Sequence, residues 1–363
     1  MNNTEEKNSP FQGKIAIVTD HITVNEDDFH SADHLIAKYG PGKVVHYTWP
    51  ANFMAEQKRM IDIVGSLAAD KEIRALIINQ AVEGSNTAVA KLKETRDDIF
   101  VIYCNTNENY SQASALASLI INFDELGMGK AMVEQAKKQG ARVFVHYSFP
   151  RHMANTTLFK RREIMQEICL KEGLQFVDAT APDPTDDAGL AAARQFILDD
   201  VPKMVASYGE DTAFFATTCA QQTPLIKAVV DSHAIYPQPC CPSPFHGFPE
   251  ALGIETSGAH TDLNYVIGEA CRIAEEKNMT DRLSTWPVSV AMMFANAGAE
   301  YAIKWINDEV AKTGIEKTVL AGCMSSYIEE VVGEASNIYM TSYSDGNITY
   351  DNFKLILMSY LDF

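Results

Sequence analysis

Short apolar runs alternate with amphipathic stretches along the first third of the chain. The runs have the length of strands, and the stretches between them carry apolar side chains at helical spacing. Each run is apolar at nearly every position, which is typical of parallel strands covered by helices on both faces. The predicted strands of this segment are Lys14–Thr19, Val44–Thr48, Ala75–Asn79, Ile99–Cys104 and Leu119–Asn122.

The same alternation begins again after residue 124, with predicted strands Arg142–Tyr147, Leu174–Val177 and Thr212–Ala216. Strand–helix repeats with short connections indicate a parallel sheet with right-handed crossovers. The sequence therefore predicts an α/β protein of two Rossmann-like, doubly wound lobes with a central cleft. We assign residues 11–124 and about 288–332 to the N-terminal lobe, and residues 125–287 and about 333–363 to the C-terminal lobe.

The last part of the chain is less regular. Val290 to about Lys312 predicts a helix, and the apolar run Thr318–Cys323 predicts a further strand. The aromatic tail Ile338–Phe363 predicts a strand followed by a final helix.

Polar residues follow most of the predicted strands. In open α/β sheets, ligands bind in the crevice beyond the carboxyl ends of the strands, so we expect a ligand site there. Each of these residues has an alternative role as a local cap or turn former. The candidate ligand-binding residues are Asp20, Asn79, Gln80, Asn105, His146, Arg151, His152, Asp178, Thr218 and Trp286, with Thr19 and Ser148 as weaker candidates.

Arg151 and His152 follow Pro150, which has no amide hydrogen to donate and ends the strand before it. The planar guanidinium of Arg151 suits a carboxylate or phosphate, which predicts a clamp on an anionic group. Alternatively, Arg151 pairs with an acidic neighbour and His152 only caps or packs. Trp49 or Trp286 would stack on a planar part of the ligand.

The charge balance excludes one class of partner. The 363 residues carry a net charge of −18, whereas a nucleic-acid surface needs basic patches. No apolar run approaches the roughly 20 residues that span a bilayer. Met1–Pro10 is polar and lacks a signal-peptide core, so we expect a cytoplasmic protein as written. A trimmed mature form would instead be exported or lipid-anchored.

The seven cysteines are odd in number and scattered, which does not indicate a disulfide framework and favours a reducing compartment. The adjacent Cys240 and Cys241 have no partner at CxxC or HxxxH spacing. No P-loop, GxGxxG, GxSxG or HExxH motif is present. We therefore predict no metal and no cofactor.

Several short stretches of the chain together form a recognisable pattern: Ala51–Met54, Glu56–Gln57, Ile78–Ala81, Phe149–Met153, Thr180–Thr185, Gln195–Ile197, Asp211–Phe215, Ser243–Pro244 and Ala251–Ile254. They resemble an uncharacterised bacterial family of type I periplasmic-binding-protein-like proteins, many of whose members look like lipoproteins. The similarity covers about residues 14–300. It implies a two-lobed fold and a binding role, and it names no ligand.

Three functional hypotheses follow. The first is a non-catalytic solute-binding protein that closes by a hinge on a small polar or anionic molecule, with an ABC-type transporter as partner. The second is a cytoplasmic metabolite sensor that acts through a separate regulatory partner, since only about twelve residues precede the first strand and cannot form a DNA-binding domain. The third is a hydrolase or lyase that uses His146 or His152 with Asp178.

Overall fold

The computed structural model describes residues 10–22, 24–187, 189–256, 262–333 and 336–363. The chain divides into two units, which are described separately. The first unit contains Met1–Phe123 and Val290–Ile356, and the second contains Asp124–Ser289 and Leu357–Phe363. The chain therefore passes from one unit to the other three times. Of the polar segment Met1–Pro10, only Pro10 lies within the described residues.

The described strands, in chain order, are β1 Lys14–Thr19, β2 Val44–Thr48, β3 Ile73–Ile78, β4 Phe100–Cys104, β5 Leu119–Phe123, β6 Val143–Ser148, β7 Gln175–Thr180, β8 Thr212–Ala216, β9 Ser284–Thr285, β10 Ile338–Asp345, β11 Ile348–Met358 and β12 Leu361–Asp362. The helices are α1 Glu26–Tyr39, α2 Gln57–Ser66, α3 Ser85–Lys93, α4 Tyr110–Leu116, α5 Glu125–Lys138, α6 Pro150–Met153, α7 Thr156–Glu172, α8 Gly189–Tyr208, α9 Gln222–Asp231, α10 Phe248–Leu252, α11 Leu263–Glu276, α12 Val290–Ile306 and α13 Lys317–Val332. Leu67–Ala69 and Cys219–Gln221 form 3₁₀ turns.

Side-chain caps start several helices where the sequence has Asn or Asp. The Asn25 carboxamide accepts from the N–H of Asp28 at the start of α1, and Asp124 accepts from Gly127 at the start of α5. Asn155 accepts from two amides in the first turn of α7. Each cap satisfies an amide that the helix leaves unpaired.

The first unit is built on a sheet with the order β10-β11-β5-β4-β3-β1-β2. β1 to β5 pair in parallel, and β11 is parallel to β5. The strand order reverses at β1, which lies between β2 and β3. This is the doubly wound order 2-1-3-4-5, so the topological switch point of this unit lies between β1 and β3.

The second unit repeats the same order on a smaller scale. Its central sheet is β7-β6-β8, all parallel. Parallel bridges then join Ala213 to Ile235 and Tyr236 to Leu283, and β9 pairs with β12. The switch point of this unit lies between β6 and β8. The predicted α/β class, with helices around mostly parallel sheets, is confirmed.

Each unit has its own apolar core. In the first unit, side chains of the β1, β3 and β4 strands pack with α2, α3 and Trp49. In the second unit, β6 and β8 pack with α8, α9 and the aromatic residues Tyr236, Phe248 and Phe363. Among the described residues, no helix combines the length and apolar character needed to span a bilayer.

The end of the chain differs from the sequence-based prediction. Thr318–Cys323 lies in α13, because Leu320, Cys323, Met324, Tyr327 and Ile328 place one buried face at helical spacing. The tail Ile338–Phe363, predicted as a strand and a helix of the C-terminal lobe, contains no helix and instead forms β10, β11 and β12. Its residues up to Ile356 belong to the first unit, while Leu357–Phe363 belongs to the second unit as predicted. Gly346, at a φ of 56°, makes the turn between β10 and β11.

The apolar residues Phe53, Met60, Ile61 and Val64 at helical spacing predict a helix from Ala51 to about Ala69, but α2 begins six residues later, at Gln57. The residues before it form turns, in which the carbonyl of Asn52 accepts from the amides of Ala55 and Glu56.

Candidate functional site

Each unit carries polar residues at its own topological switch point. We call Asp20, Asp28, Ser31 and Asn79 the first cluster, and Ser148, His152 and Thr217 the second cluster. Asp20 and Asn79 follow β1 and β3, while Ser148 ends β6 and Thr217 follows β8. Parallel strands end at the same edge of a sheet, which explains why residues far apart in sequence meet there.

The first cluster is closely hydrogen-bonded. The amide of Asp20 donates to Oδ2 of Asp28 at 2.5 Å, and Ser31 Oγ donates to the Asp28 carbonyl at 2.6 Å. Nδ2 of Asn79 donates to Ser31 Oγ at 2.9 Å and to the carbonyl of Ala291 at 3.1 Å. These bonds fix the Asp28 carboxyl group and the Asn79 carboxamide relative to the backbone at the end of β1 and in α1.

Oxygen acceptors are in excess at this edge of the first unit. Oδ1 of Asp28, Asn79 and Asn105 are each buried and have no hydrogen-bond partner among the described residues. An acceptor buried without a donor costs free energy. The Asn79 and Asn105 oxygens, and the Asp28 oxygen whenever its carboxyl group is ionised, therefore favour a bound molecule that supplies donors.

Burial changes the protonation of both carboxyl groups. Asp20 is only 8% exposed, and burial raises the pKa of its carboxyl group to about 6. Burial also raises the pKa of Asp28 well above its usual value; the Asp20 amide lowers it, and the Asp20 charge raises it further. Two carboxyl groups of high pKa in one cluster are typical of functional sites.

The other predicted residues of the first unit have local roles. Thr19 Oγ1 lies 2.7 Å from His46 Nε2 and also donates to the Asp20 carbonyl. The half-buried Gln80 accepts the indole N–H of Trp49 at its backbone carbonyl. Trp49 is buried in the core, so the structure leaves no open face on which a ligand would stack.

The second cluster is a chain of three side chains. Ser148 Oγ lies 3.1 Å from Thr217 Oγ1, which lies 2.9 Å from Nδ1 of His152. Burial lowers the pKa of His152, and the Arg151 charge lowers it further. Thr218, half-buried, precedes the 3₁₀ turn and uses its carbonyl to accept from Gln222. The cluster presents neutral donors and acceptors.

Arg151 lies on the short helix α6, where a loop was predicted. Its guanidinium donates two hydrogen bonds, of 2.7 and 2.9 Å, to the two carboxylate oxygens of Asp183. The Arg151 bond holds the pKa of Asp183 well below its usual range. The predicted alternative, pairing with an acidic neighbour, is thus the arrangement present, although the Arg151 side chain remains 54% exposed.

His146 lies inside β6, two residues before its end, and is only 1% exposed. Its ring lies between those of Phe176 and Phe215, and Nδ1 is 3.2 Å from Oδ1 of Asp178. Burial lowers the pKa of His146. This enclosed imidazole is poorly placed to take a proton from a substrate.

Asp178 was predicted to follow its strand, but it lies inside β7, two residues before the end of that strand. Its carboxylate also pairs with Arg162. Burial raises its pKa, but the bonds from His146 and Arg162 outweigh burial and bring the pKa to about 2. Asp178, Arg162 and Ser148 line a cavity of about 420 Å³ with α6 and α7 residues. A larger hollow of about 560 Å³ lies among α2, α3 and α4 of the first unit, away from the strand ends.

Trp286 is fully buried in the second unit, so no face of its indole is open to a ligand. Asp28, Ser31 and Thr217 were not predicted. Asp28 and Ser31 lie in the first turns of a helix, where such residues usually serve as caps. Sequence reasoning also found no metal ligands, whereas the structure brings Cys219, Cys240 and Cys241 within 4 Å of one another.

Comparison with known proteins identifies the fold. A family model described as "Protein of unknown function (DUF3798)" matches residues 13–284. An uncharacterised protein of Treponema pallidum (strain Nichols) is 34% identical over 165 residues, which cover 46% of this chain and 76% of that protein.

Two solved structures are similar over most of the chain. A proposed transcriptional regulator from Clostridium difficile 630 has a TM-score of 0.85 at 21% identity, covering 97% of this chain and 99% of that chain. A sugar ABC transporter protein from Actinomyces odontolyticus has a TM-score of 0.54 at 10% identity, covering 85% and 88%. The chain therefore has the α/β fold of type I periplasmic-binding-protein-like proteins.

Proposed function

The chain belongs to the DUF3798 family, and we propose that it is a solute-binding protein for a small, uncharged or cationic molecule rich in hydrogen-bond donors. Its fold supports a binding role, because type I proteins of this kind bind solutes. Hinge closure would use the three segments at which the chain passes between its units.

One observation carries the choice of ligand. The first cluster and Asn105 present carboxyl and carboxamide oxygens, three of them buried without a donor. Hydroxyl or ammonium groups would satisfy these acceptors, whereas a phosphate or carboxylate would add acceptors to a site that already has too many. A sugar or polyol fits this chemistry, and the Actinomyces odontolyticus relative is described as a sugar transporter.

The anionic ligand predicted from Arg151 has less support. Asp183 accepts two of the five guanidinium N–H donors and neutralises the charge of Arg151, which weakens its attraction for an anion. The net charge of −18 also does not favour anion capture. We therefore place ligand recognition at the acceptors of the first unit rather than at Arg151.

The first test is the native mass of freshly purified protein compared with its denatured mass. We expect the native mass to exceed the denatured mass by that of one bound molecule per chain, which is released on unfolding. Fragmentation should identify this molecule as polyhydroxylated or amine-bearing. If the protein is purified empty, a panel of sugars, polyols and amines should raise its melting temperature. An anionic ligand recovered from the site would contradict the proposal.

Asp20→Asn should weaken binding of that ligand by about 10- to 100-fold, since a hydrogen bond to a charged group contributes about 1.5–3 kcal/mol. Arg151→Ala is the matched control, and it should leave the affinity within about twofold if the ligand is not held there. Titration calorimetry on both variants decides the matter. The reverse pattern would return recognition to Arg151.

The stability of the ligand-free protein should fall as the pH rises from about 4 to about 6. The folded state raises the pKa of Asp20 to about 6, so it holds a proton that the unfolded chain has already lost. The contribution of Asp20 to stability is greatest below the pKa of the unfolded chain and is lost as the pH rises through the pKa of the folded state. The loss amounts to about 1–2 kcal/mol after allowance for partial burial. Asp20→Asn should reduce this slope by the contribution of Asp20 in denaturation curves measured across that pH range, while the raised pKa of Asp28 leaves a remainder of the same sign. An unchanged slope would contradict the assignment.

A second candidate function is a metabolite sensor. Its support is the similarity to the Clostridium difficile protein, a proposed regulator, which extends over 97% of this chain. With a net charge of −18, such a sensor would act through a separate DNA-binding or effector chain. The two functions place the protein on different sides of the membrane, so fractionation of the native cell distinguishes cytoplasmic from exported or lipid-anchored protein.

A further inference from the structure

Three cysteines and a histidine meet at the carboxyl end of β8. We call Cys219, Cys240, Cys241 and His246 the cysteine cluster. Cys219 begins the 3₁₀ turn after β8, while the other three lie in the proline-rich segment that follows the Tyr236 bridge and precedes α10. All four lie in the second unit, and neither the ligand proposal nor the pH dependence uses any of them.

The sulfur atoms are arranged at metal-ligand distances. Sγ of Cys219 lies 3.4 Å from Sγ of Cys240 and 3.7 Å from Sγ of Cys241, and the latter two are 3.9 Å apart. A tetrahedral zinc ion with bonds of about 2.3 Å to sulfur holds its thiolates about 3.8 Å apart. A disulfide needs about 2.05 Å, and all seven cysteines are free.

His246 completes the donor set. The ligand atoms of Cys219, Cys240 and His246 all lie within 4.8 Å of one another. Three soft sulfurs and one imidazole nitrogen are ligands that select zinc-like or copper(I)-like ions over magnesium or calcium. Magnesium and calcium prefer oxygen ligands and would bind this donor set weakly.

The surrounding chain holds this segment in place without a metal. Ser284 Oγ donates to the carbonyl of Pro237 at 2.7 Å, and the Gln238 carboxamide donates to the carbonyl of Pro239 at 3.1 Å. Proline limits the backbone freedom of the segment. The two cysteines are therefore presented to Cys219 by a segment that is already ordered, which lowers the entropic cost of binding a cation.

Buried cysteines often act only as small apolar residues. That role suits Cys104 and Cys169, which are buried singly. It does not suit Cys219, which is exposed, nor the convergence of three sulfurs from two separate segments.

We propose that the cysteine cluster binds one thiophilic cation, with Zn²⁺ as the test ion, through Cys219, Cys240 and His246. Cys241 lies near the other two sulfurs but outside that three-residue set, and it would move onto the ion as the fourth ligand. Binding is not a redox step: each coordinating thiol releases its proton to solvent, and affinity rises with pH. Four protein ligands around the ion are typical of a structural site. The ion would tie the proline-rich segment to the end of β8.

The experiment uses the full chain, reduced, stripped of metal and then reconstituted with Zn²⁺. Elemental analysis after desalting should give one zinc per chain, and Co²⁺ in its place should give a thiolate-to-cobalt charge-transfer band. Cys219→Ser and Cys240→Ser should each weaken zinc binding by more than about 100-fold. Loss of a residue that only hydrogen-bonds a metal ligand costs less, about 10- to 100-fold. Cys271→Ser, on α11 outside the cluster, is the control and should retain one zinc.

Zinc should also raise the melting temperature of the wild type and of Cys271→Ser, but not of Cys219→Ser or His246→Ala. Each variant is compared with itself without zinc, so the test remains valid for a variant that folds poorly. Absence of zinc and of the cobalt band in fully reduced wild type would overturn the proposal. So would a denatured mass two daltons low under reducing purification, which would assign the cluster to a disulfide. Neither result bears on the solute-binding proposal, which rests on the first unit.

Discussion

Glu125→Ala should destabilise the second unit by about 3–5 kcal/mol, because it leaves a buried guanidinium without its counter-charge. Arg161 is only 2% exposed and pairs with Glu125. Arg161 Nη1 donates to Glu125, whereas Nε has no hydrogen-bond partner among the described residues, and the guanidinium lies 5.2 Å from the centre of the Phe215 ring. The free energy of unfolding, measured in urea, gives the cost.

Arg161→Met in the Glu125→Ala background should recover most of that loss, since an apolar side chain of similar length no longer needs a partner. Asp231→Ala is the matched control. It breaks an exposed pair with Lys227 and should change the unfolding free energy by about 0.5 kcal/mol or less. If the double variant stays as unstable as Glu125→Ala, the loss comes from packing and not from the unpaired charge.

Trp49→Ala should cost the first unit about 3–5 kcal/mol, the range for removing a large buried aromatic side chain. The indole packs in the core and donates to the carbonyl of Gln80 at 3.0 Å, while the Trp49 amide donates to the carbonyl of Thr19 at 2.8 Å. Trp49 follows β2 and therefore joins it to the end of β1 through its backbone and to the end of β3 through its side chain, and only the second link is lost in Trp49→Ala. Denaturation by urea measures the effect.

Trp49→Phe keeps most of the apolar surface and loses the indole N–H, so it should cost about 1–2 kcal/mol. Trp305→Phe is the control, because Trp305 is half-buried and stacks on Phe100 at 5.0 Å. A Trp49→Ala variant with wild-type stability and lost ligand affinity would contradict the core assignment. It would restore the stacking role predicted from the sequence.

The strands and the positions of their polar ends could be predicted, because burial of both faces makes each strand a continuous apolar run. Asp20, Asn79 and Ser148 are found at the ends of β1, β3 and β6 for this reason. The doubly wound class could be predicted from the short connections between strands and helices and from the right-handed crossovers between parallel strands. These features depend on neighbours in the sequence.

The partners of the site residues could not be predicted, since they depend on distant pairing. Arg151 meets Asp183 across 32 residues of sequence, and Cys219 meets Cys240 across 21. His146 looked like a strand-end ligand but points among aromatic rings, because the end of β6 is two residues further on. The β10–β11 turn did carry a signal, the Gly346-Asn347 pair, which the aromatic composition of the tail obscured.

The return of the chain to the first unit has a consequence during protein synthesis. β11 covers the outer edge of β5, yet the ribosome makes it after residues Asp124–Ser289 of the second unit. Until then, the apolar strand Leu119–Phe123 has unpaired backbone groups along one side, and such an edge invites pairing with another nascent chain. The growing polypeptide is thus exposed to aggregation at β5 until β11 has been made and has paired with it.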